Sequence, residues 1–80
     1  MDLIFAMRSR ILQLCGERDL SIVKFADLAG IPRSSLKNIF YKKRSNPTLL
    51  TIKTICDGFD MTLAEFFSTT QFDSLEQTIK

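Results

Sequence analysis

The sequence predicts an all-α fold: a compact bundle of five short helices with a helix-turn-helix at its centre, and room for a sixth helix at the C-terminus. Three observations predict it. Apolar residues recur at spacings of three and four along nearly the whole chain, the period of a helix with one buried face. No stretch alternates apolar and polar residues as a half-buried strand would. Ser, Thr, Gly and Pro fall between the periodic segments, where helices start and stop. With 80 residues, there is room for one small domain. A chain of this size buries only about 60–65% of its unfolded surface, so each packed contact matters.

In the first segment, Leu3, Met7, Ile11 and Leu14 form one stripe. Gly16 and the polar run Glu17-Arg18-Asp19 are expected to end that helix. Ser21 is placed to cap a second helix, because its oxygen can accept an orphan amide of the first turn. Ile22, Phe25, Ala26 and Ala29 follow on one face. Gly30 then suits a turn with positive φ. Pro32 sits at the start of a third helix, where its missing N–H does no harm. Leu36, Ile39 and Phe40 form that helix's inner face. So short a turn between two short helices forces a sharp crossing, the helix-turn-helix arrangement.

Ser45-Asn46-Pro47-Thr48 is the next punctuation, with Thr48 as the cap of a fourth helix. Its inner stripe is Leu49, Ile52, Ile55, Cys56 and Phe59, and Gly58 should interrupt its end. Thr62 and Glu65 have the spacing of a capping box, opening a fifth helix with Leu63, Phe66 and Phe67. Residues 1–67 form the expected domain, and residues 68–80 a more polar extension. Within that extension, Asp73 and Glu76 suggest a cap pair, with Phe72, Leu75 and Ile79 on one side.

Composition excludes much. The chain has no His, which removes most acid–base triads and most zinc sites. Cys15 and Cys56 form no CxxC pair and fall in apolar stripes, as expected of buried thiols in a reducing compartment. There is no Gly-rich phosphate loop, and Ser34 and Ser35 have no evident base. No enzyme activity, metal or cofactor is expected. The apolar run Leu3–Met7 is too short for a signal segment and lacks a basic stretch before it. No run approaches the ~18 apolar residues of a membrane span. The expected address is the cytoplasm.

The net charge of +2 conceals a polarised chain. Residues 1–20 balance three bases against three acids. Residues 21–54 hold seven bases against Asp27 alone, and residues 55–80 one base against five acids. From Arg33 to Arg44 there are five bases and no acid. This stretch suits a polyanion, and duplex DNA is the natural candidate. A solvated basic face that binds nothing would have the same composition. The acidic C-terminal third favours DNA, since a one-sided charge distribution presents one face and repels the other.

From Leu20 to Phe67 the chain resembles the Cro/C1-type (XRE-type) helix-turn-helix domain of phage and bacterial repressors. The residues that carry the resemblance are Leu20-Ser21, Phe25-Ala26-Asp27-Leu28-Ala29-Gly30, Ser35-Leu36 with Ile39, Asn46-Pro47-Thr48-Leu49, Ile52 with Ile55, and Leu63-Ala64-Glu65-Phe66-Phe67. Arg8 to Leu14 stand where the family has its first helix. The resemblance implies a sequence-specific transcriptional regulator, a repressor by family habit, with Pro32–Tyr41 as the recognition helix in the major groove.

With Leu36, Ile39 and Phe40 turned inward, Arg33, Ser34, Lys37 and Asn38 remain outward, and Tyr41 ends the helix. Arg can fork onto guanine O6 and N7, Asn can bridge adenine N6 and N7, and Ser can reach base or phosphate. The resemblance makes Arg33, Ser34, Lys37 and Asn38 the base readers. It places phosphate contacts at Ser21, Ser35, Tyr41, Lys42, Lys43 and Arg44, which would fix register.

Three positions depart from the family pattern. Ile22 stands where Gln often contacts phosphate, so that contact is lost or Ile22 packs inward. Lys42 stands where Gly often turns the chain, which implies backbone strain or a different turn. Pro32 replaces a capping Ser or Thr. The family pattern implies a homodimer, with Phe66, Phe67 and the tail as its expected surface. The alternative is a helix-turn-helix protein-interaction module or an antitoxin-type partner-binding protein. It would dock a protein on Leu3-Ile4-Phe5 or on the Phe72, Leu75, Ile79 stripe.

Overall fold

A computed structural model describes residues 2–77. Six helices follow in order: α1 (Leu3–Glu17), α2 (Ile22–Ala29), α3 (Arg33–Tyr41), α4 (Leu49–Gly58), α5 (Leu63–Phe66) and α6 (Thr70–Asp73). No strand occurs among the described residues. No described helix is long and apolar enough to cross a membrane. α2 packs on α1, α3 and α4, while α5 lies on α4 and α6 on α1.

Side-chain caps start four of the helices. Asp2, Ser21, Thr48 and Thr62 accept the backbone amides of Phe5, Lys24, Thr51 and Glu65. Each satisfies one orphan donor of a first turn. At α5 the capping box is complete: Glu65 in turn accepts the Thr62 amide at 3.0 Å. Pro32 flanks α3 without a side-chain cap.

Helices α1, α2 and α4 end alike. A left-handed residue follows each one: Asp19 at φ 55°, Gly30 at φ 70° and Asp60 at φ 57°. The next amide returns to a carbonyl five residues back: Leu20 to Cys15, Ile31 to Ala26 and Met61 to Cys56. This closure satisfies late-turn carbonyls. Asp tolerates the left-handed region better than most side chains. α1 ends within the expected run from Gly16 to Asp19: Gly16 still lies inside the helix, and Asp19 makes the turn. Gly58, expected to interrupt the end of α4, forms its last residue. A Cβ there would come within 2.7 Å of the Ala29 Cβ and 2.9 Å of the Phe25 ring. Gly58 therefore permits close approach of α4 to α2. Beside it the Phe25 and Phe59 rings stack at 4.0 Å.

Met7, Ile11, Leu14, Phe25, Ala26, Ile31, Leu36, Ile39, Ile55, Phe59 and Phe66 are buried, with Phe40, Ile52 and Leu63 packed against the core. Cys15 and Cys56 are free and buried, and desolvation pushes both thiols up.

Several expectations fail at the margins. Leu3 and Leu49 were placed in inner stripes but are 55% and 70% exposed. Each is the first residue of its helix; at the start of α1 it is Ile4, not Leu3, that packs against the core. Phe66, placed on the dimer surface, is fully buried. It meets Phe67 edge-on at 5.0 Å, and Phe67 meets Phe72 at 4.8 Å. These rings fill space between α5, α6 and the body of the chain. Asp73 ends α6 and does not cap a later helix. Ile79 lies outside the described residues.

Arginine ties the helices together. Arg10 is buried on α1, and its Nε and Nη2 donate to the carbonyls of Phe66 and Glu65 at 2.8 and 3.0 Å. Arg8 donates to the carbonyls of Ile39 and Lys42, at the end of α3. Arg18 donates to the Phe59 carbonyl at 3.1 Å, beyond α4, and lies over the Phe59 ring. Each guanidinium neutralises the partial negative charge of a helix C-terminus. Arg10→Ala would strand the Phe66 carbonyl, while the Glu65 carbonyl keeps the Ser68 amide and hydroxyl, and should cost about 1–3 kcal/mol of unfolding free energy in urea titration. A cost below about 0.5 kcal/mol, the range of ordinary surface changes, would show that water replaces the guanidinium.

Candidate nucleic-acid interface

α3 is amphipathic in a way that commits its side chains. Leu36 and Ile39 are each 1% exposed, and they anchor the helix from beneath. Arg33, Ser34, Lys37 and Asn38 are exposed, as are Tyr41, Lys42, Lys43 and Arg44 beyond them. Ser35 is half-buried, and its amide closes the first turn on the Pro32 carbonyl. All the expected base-reading residues therefore lie on one continuous face. Ser21, at the start of α2, is exposed, with its hydroxyl accepting the Lys24 amide.

The departures from the family pattern are accommodated. Ile22 is half-buried and packs against the core. With Val23, Ala26 and Leu36 it lines an apolar notch between α2 and α3, rimmed by Arg33, Lys37 and Tyr41. Lys42 takes extended backbone at φ −75° and ψ 131°. No left-handed strain arises there, because the turn has a different shape from one built on Gly. Arg8, on α1, binds the carbonyls that this turn leaves open.

Two features lay outside the sequence expectations. A polar hollow runs along the other flank of α3, lined by Ser35, Asn38, Lys42, Asn46, Thr48 and Thr51. It joins the exposed face of α3 to the start of α4, where a first turn carries partial positive charge. The second feature is Asp27. Its carboxylate takes the Nε and Nη2 hydrogens of Arg33 at 3.0 and 2.8 Å. The hydrogen bonds from Arg33 hold the Asp27 carboxyl below its ordinary range and raise the Arg33 guanidinium. A signal for this pair existed, since Asp27 is the sole acid among residues 21–54. Among the described residues no cluster of His, Cys, Asp or Glu is arranged to hold a metal.

α3 is thus the second helix of a helix-turn-helix, with a basic and polar exposed face. The sequence model of the Cro/C1-type HTH DNA-binding domain matches residues 10–71, and the chain belongs to that family. Its fold is similar to that of a solved structure, the prophage Lp1 protein 11, with a TM-score of 0.80. That comparison covers 94% of this chain and 100% of the other, at 22% identity. No curated protein gives a significant match.

Two surface carboxylates tie stability to acid. The Thr62 amide and hydroxyl lower the Glu65 carboxyl, and Arg33 lowers that of Asp27. A group whose folded pKa lies below its unfolded value stabilises the fold above the unfolded value, and that contribution is lost as pH falls through the folded one. The melting temperature should therefore drop on acidification through and below the ordinary carboxylate range. Combining Asp27→Asn with Glu65→Gln should flatten part of that drop in thermal melts followed by circular dichroism. An unchanged acid slope would exclude these two groups.

Proposed function

We propose that the chain is a transcriptional regulator, acting as a repressor, that reads duplex DNA as a homodimer with α3 in the major groove. The observation that carries this is the division of α3: Leu36 and Ile39 are buried beneath while Arg33, Ser34, Lys37 and Asn38 are exposed together. Such a helix offers hydrogen-bonding side chains to base edges without disturbing its own packing. Lys42, Lys43 and Arg44 follow at once and suit phosphates on the groove edge. Ser21, Ser35 and Tyr41 fill the remaining backbone positions. One short helix supplies little affinity, so two copies would bind half-sites about 34–36 Å apart.

The test is selection of bound duplexes from a random pool at about 150 mM salt, where nonspecific binding is weakened. Enrichment of an inverted repeat with half-sites about 10–11 base pairs apart is expected. No enrichment would reject sequence reading and turn attention to a protein partner. On the selected duplex, Arg33→Ala should cost about 1–3 kcal/mol and relax preference at one base pair. Lys43→Ala should weaken all duplexes alike and flatten the salt slope by about one. Fluorescence anisotropy over a salt series separates these two effects.

A further inference from the structure

The one acid in the basic segment sits on its first base. Asp27 ends near the turn of the helix-turn-helix and grips Arg33, the first residue of α3, through two hydrogen bonds. Both side chains remain about half exposed, so burial does not force the pairing. A carboxylate at the edge of a DNA-facing surface opposes phosphate binding, since it cancels one of the charges that release counterions. As an exposed ion pair it adds little to stability. Its geometry, however, suits a positioning role.

A guanidinium has two usable forks. One is made by Nε and Nη2, the other by Nη1 and the second hydrogen of Nη2. Asp27 occupies the first fork completely. No further partner of Arg33 occurs among the described residues, so the end fork stays open to solvent. Two parallel donors of this kind match guanine O6 and N7. The carboxylate also restrains a long side chain that would otherwise sample many rotamers, lowering the ordering cost of binding.

We propose that Asp27 is a specificity-determining residue. It holds Arg33 by its side fork, directs the end fork at guanine, and discourages Arg33 from swinging to a phosphate. The assignment rests on α3 being the DNA-reading helix, and it adds a function for an acid in α2.

The experiment compares the unmodified chain with Asp27→Ala, Asp27→Asn and Arg33→Ala, and with Asp27→Ala and Arg33→Ala combined. The probes are the duplex recovered by selection, the same duplex with each guanine in turn replaced by 7-deazaguanine, and a random-sequence duplex of equal length. Asp27→Ala should weaken the selected duplex and strengthen the random one, reducing the ratio of the two affinities about tenfold, within the range of one bidentate base contact. Asp27→Asn, which keeps one acceptor, should fall between. One 7-deazaguanine position should weaken binding of the unmodified chain, and do so much less in Asp27→Ala. In the Arg33→Ala background, removing Asp27 should leave the ratio unchanged.

A purely structural role for Asp27 would weaken the selected and random duplexes by the same factor, which overturns the proposal. So does a ratio that Asp27→Ala leaves intact while the unmodified chain still discriminates; α3 as reader then survives. An unmodified chain that prefers no duplex overturns the reading of α3 and the role of Asp27 together.

Discussion

Helix carbonyls that no backbone amide can reach are the constraint around which this small domain is built. Every α-helix ends with unpaired C=O groups and a partial negative charge. In a bundle of short helices such ends are frequent and close to the core. Arg8, Arg10 and Arg18 answer three of them, at the ends of α3, α5 and α4. Each joins segments distant in sequence. Arg10 alone links α1 to a carbonyl 56 positions away. Their charge is therefore used within the fold, against backbone dipoles and not against acids. A core this small gains orientation from these contacts as well as enthalpy, because a planar guanidinium binds two carbonyls only at a defined angle.

The same device connects the scaffold to α3. α3 is held from below by Leu36 and Ile39 and at its end by Arg8. Its outer side is thereby left to polar groups whose direction is set by a rigid element. Precision of this kind is what distinguishes a base-reading face from a merely basic one. The apolar notch on one flank and the polar hollow on the other give α3 two chemically different borders. Asp27 adds a negative charge to an otherwise basic stretch.

Much of this architecture was legible in the residues. The caps Ser21, Thr48 and Thr62 each act as their spacing predicts, because capping is local and needs only a hydroxyl and an amide three residues on. The turn at Gly30 was legible for the same reason. Local cues misled where two residues compete for one role. Of the residues expected to end α1, from Gly16 to Asp19, it is Asp19 that adopts the left-handed conformation, and the helix runs past the glycine. The glycine at position 58 serves packing against Phe25 and Ala29, which no local pattern announces. Leu3 and Leu49 follow the helical period but fall beyond the neighbours that would cover them. Periodicity states which side of a helix is apolar, not where its partner stops.

The candidate site divides along the same line. By itself the sequence determined the helix order, the membership in a helix-turn-helix family, and the outward face of α3, since all three follow from short-range spacing. Tertiary structure decided what its charges do. In the charge count Arg8, Arg10 and Arg18 only balance the three acids of residues 1–20, but in the fold they are carbonyl ligands across the bundle. Arg33 looked like a free cation, but it is forked onto Asp27 across the turn. A long flexible side chain reaches several partners, and which one it meets depends on where the helices cross, a quantity no local stretch of sequence contains.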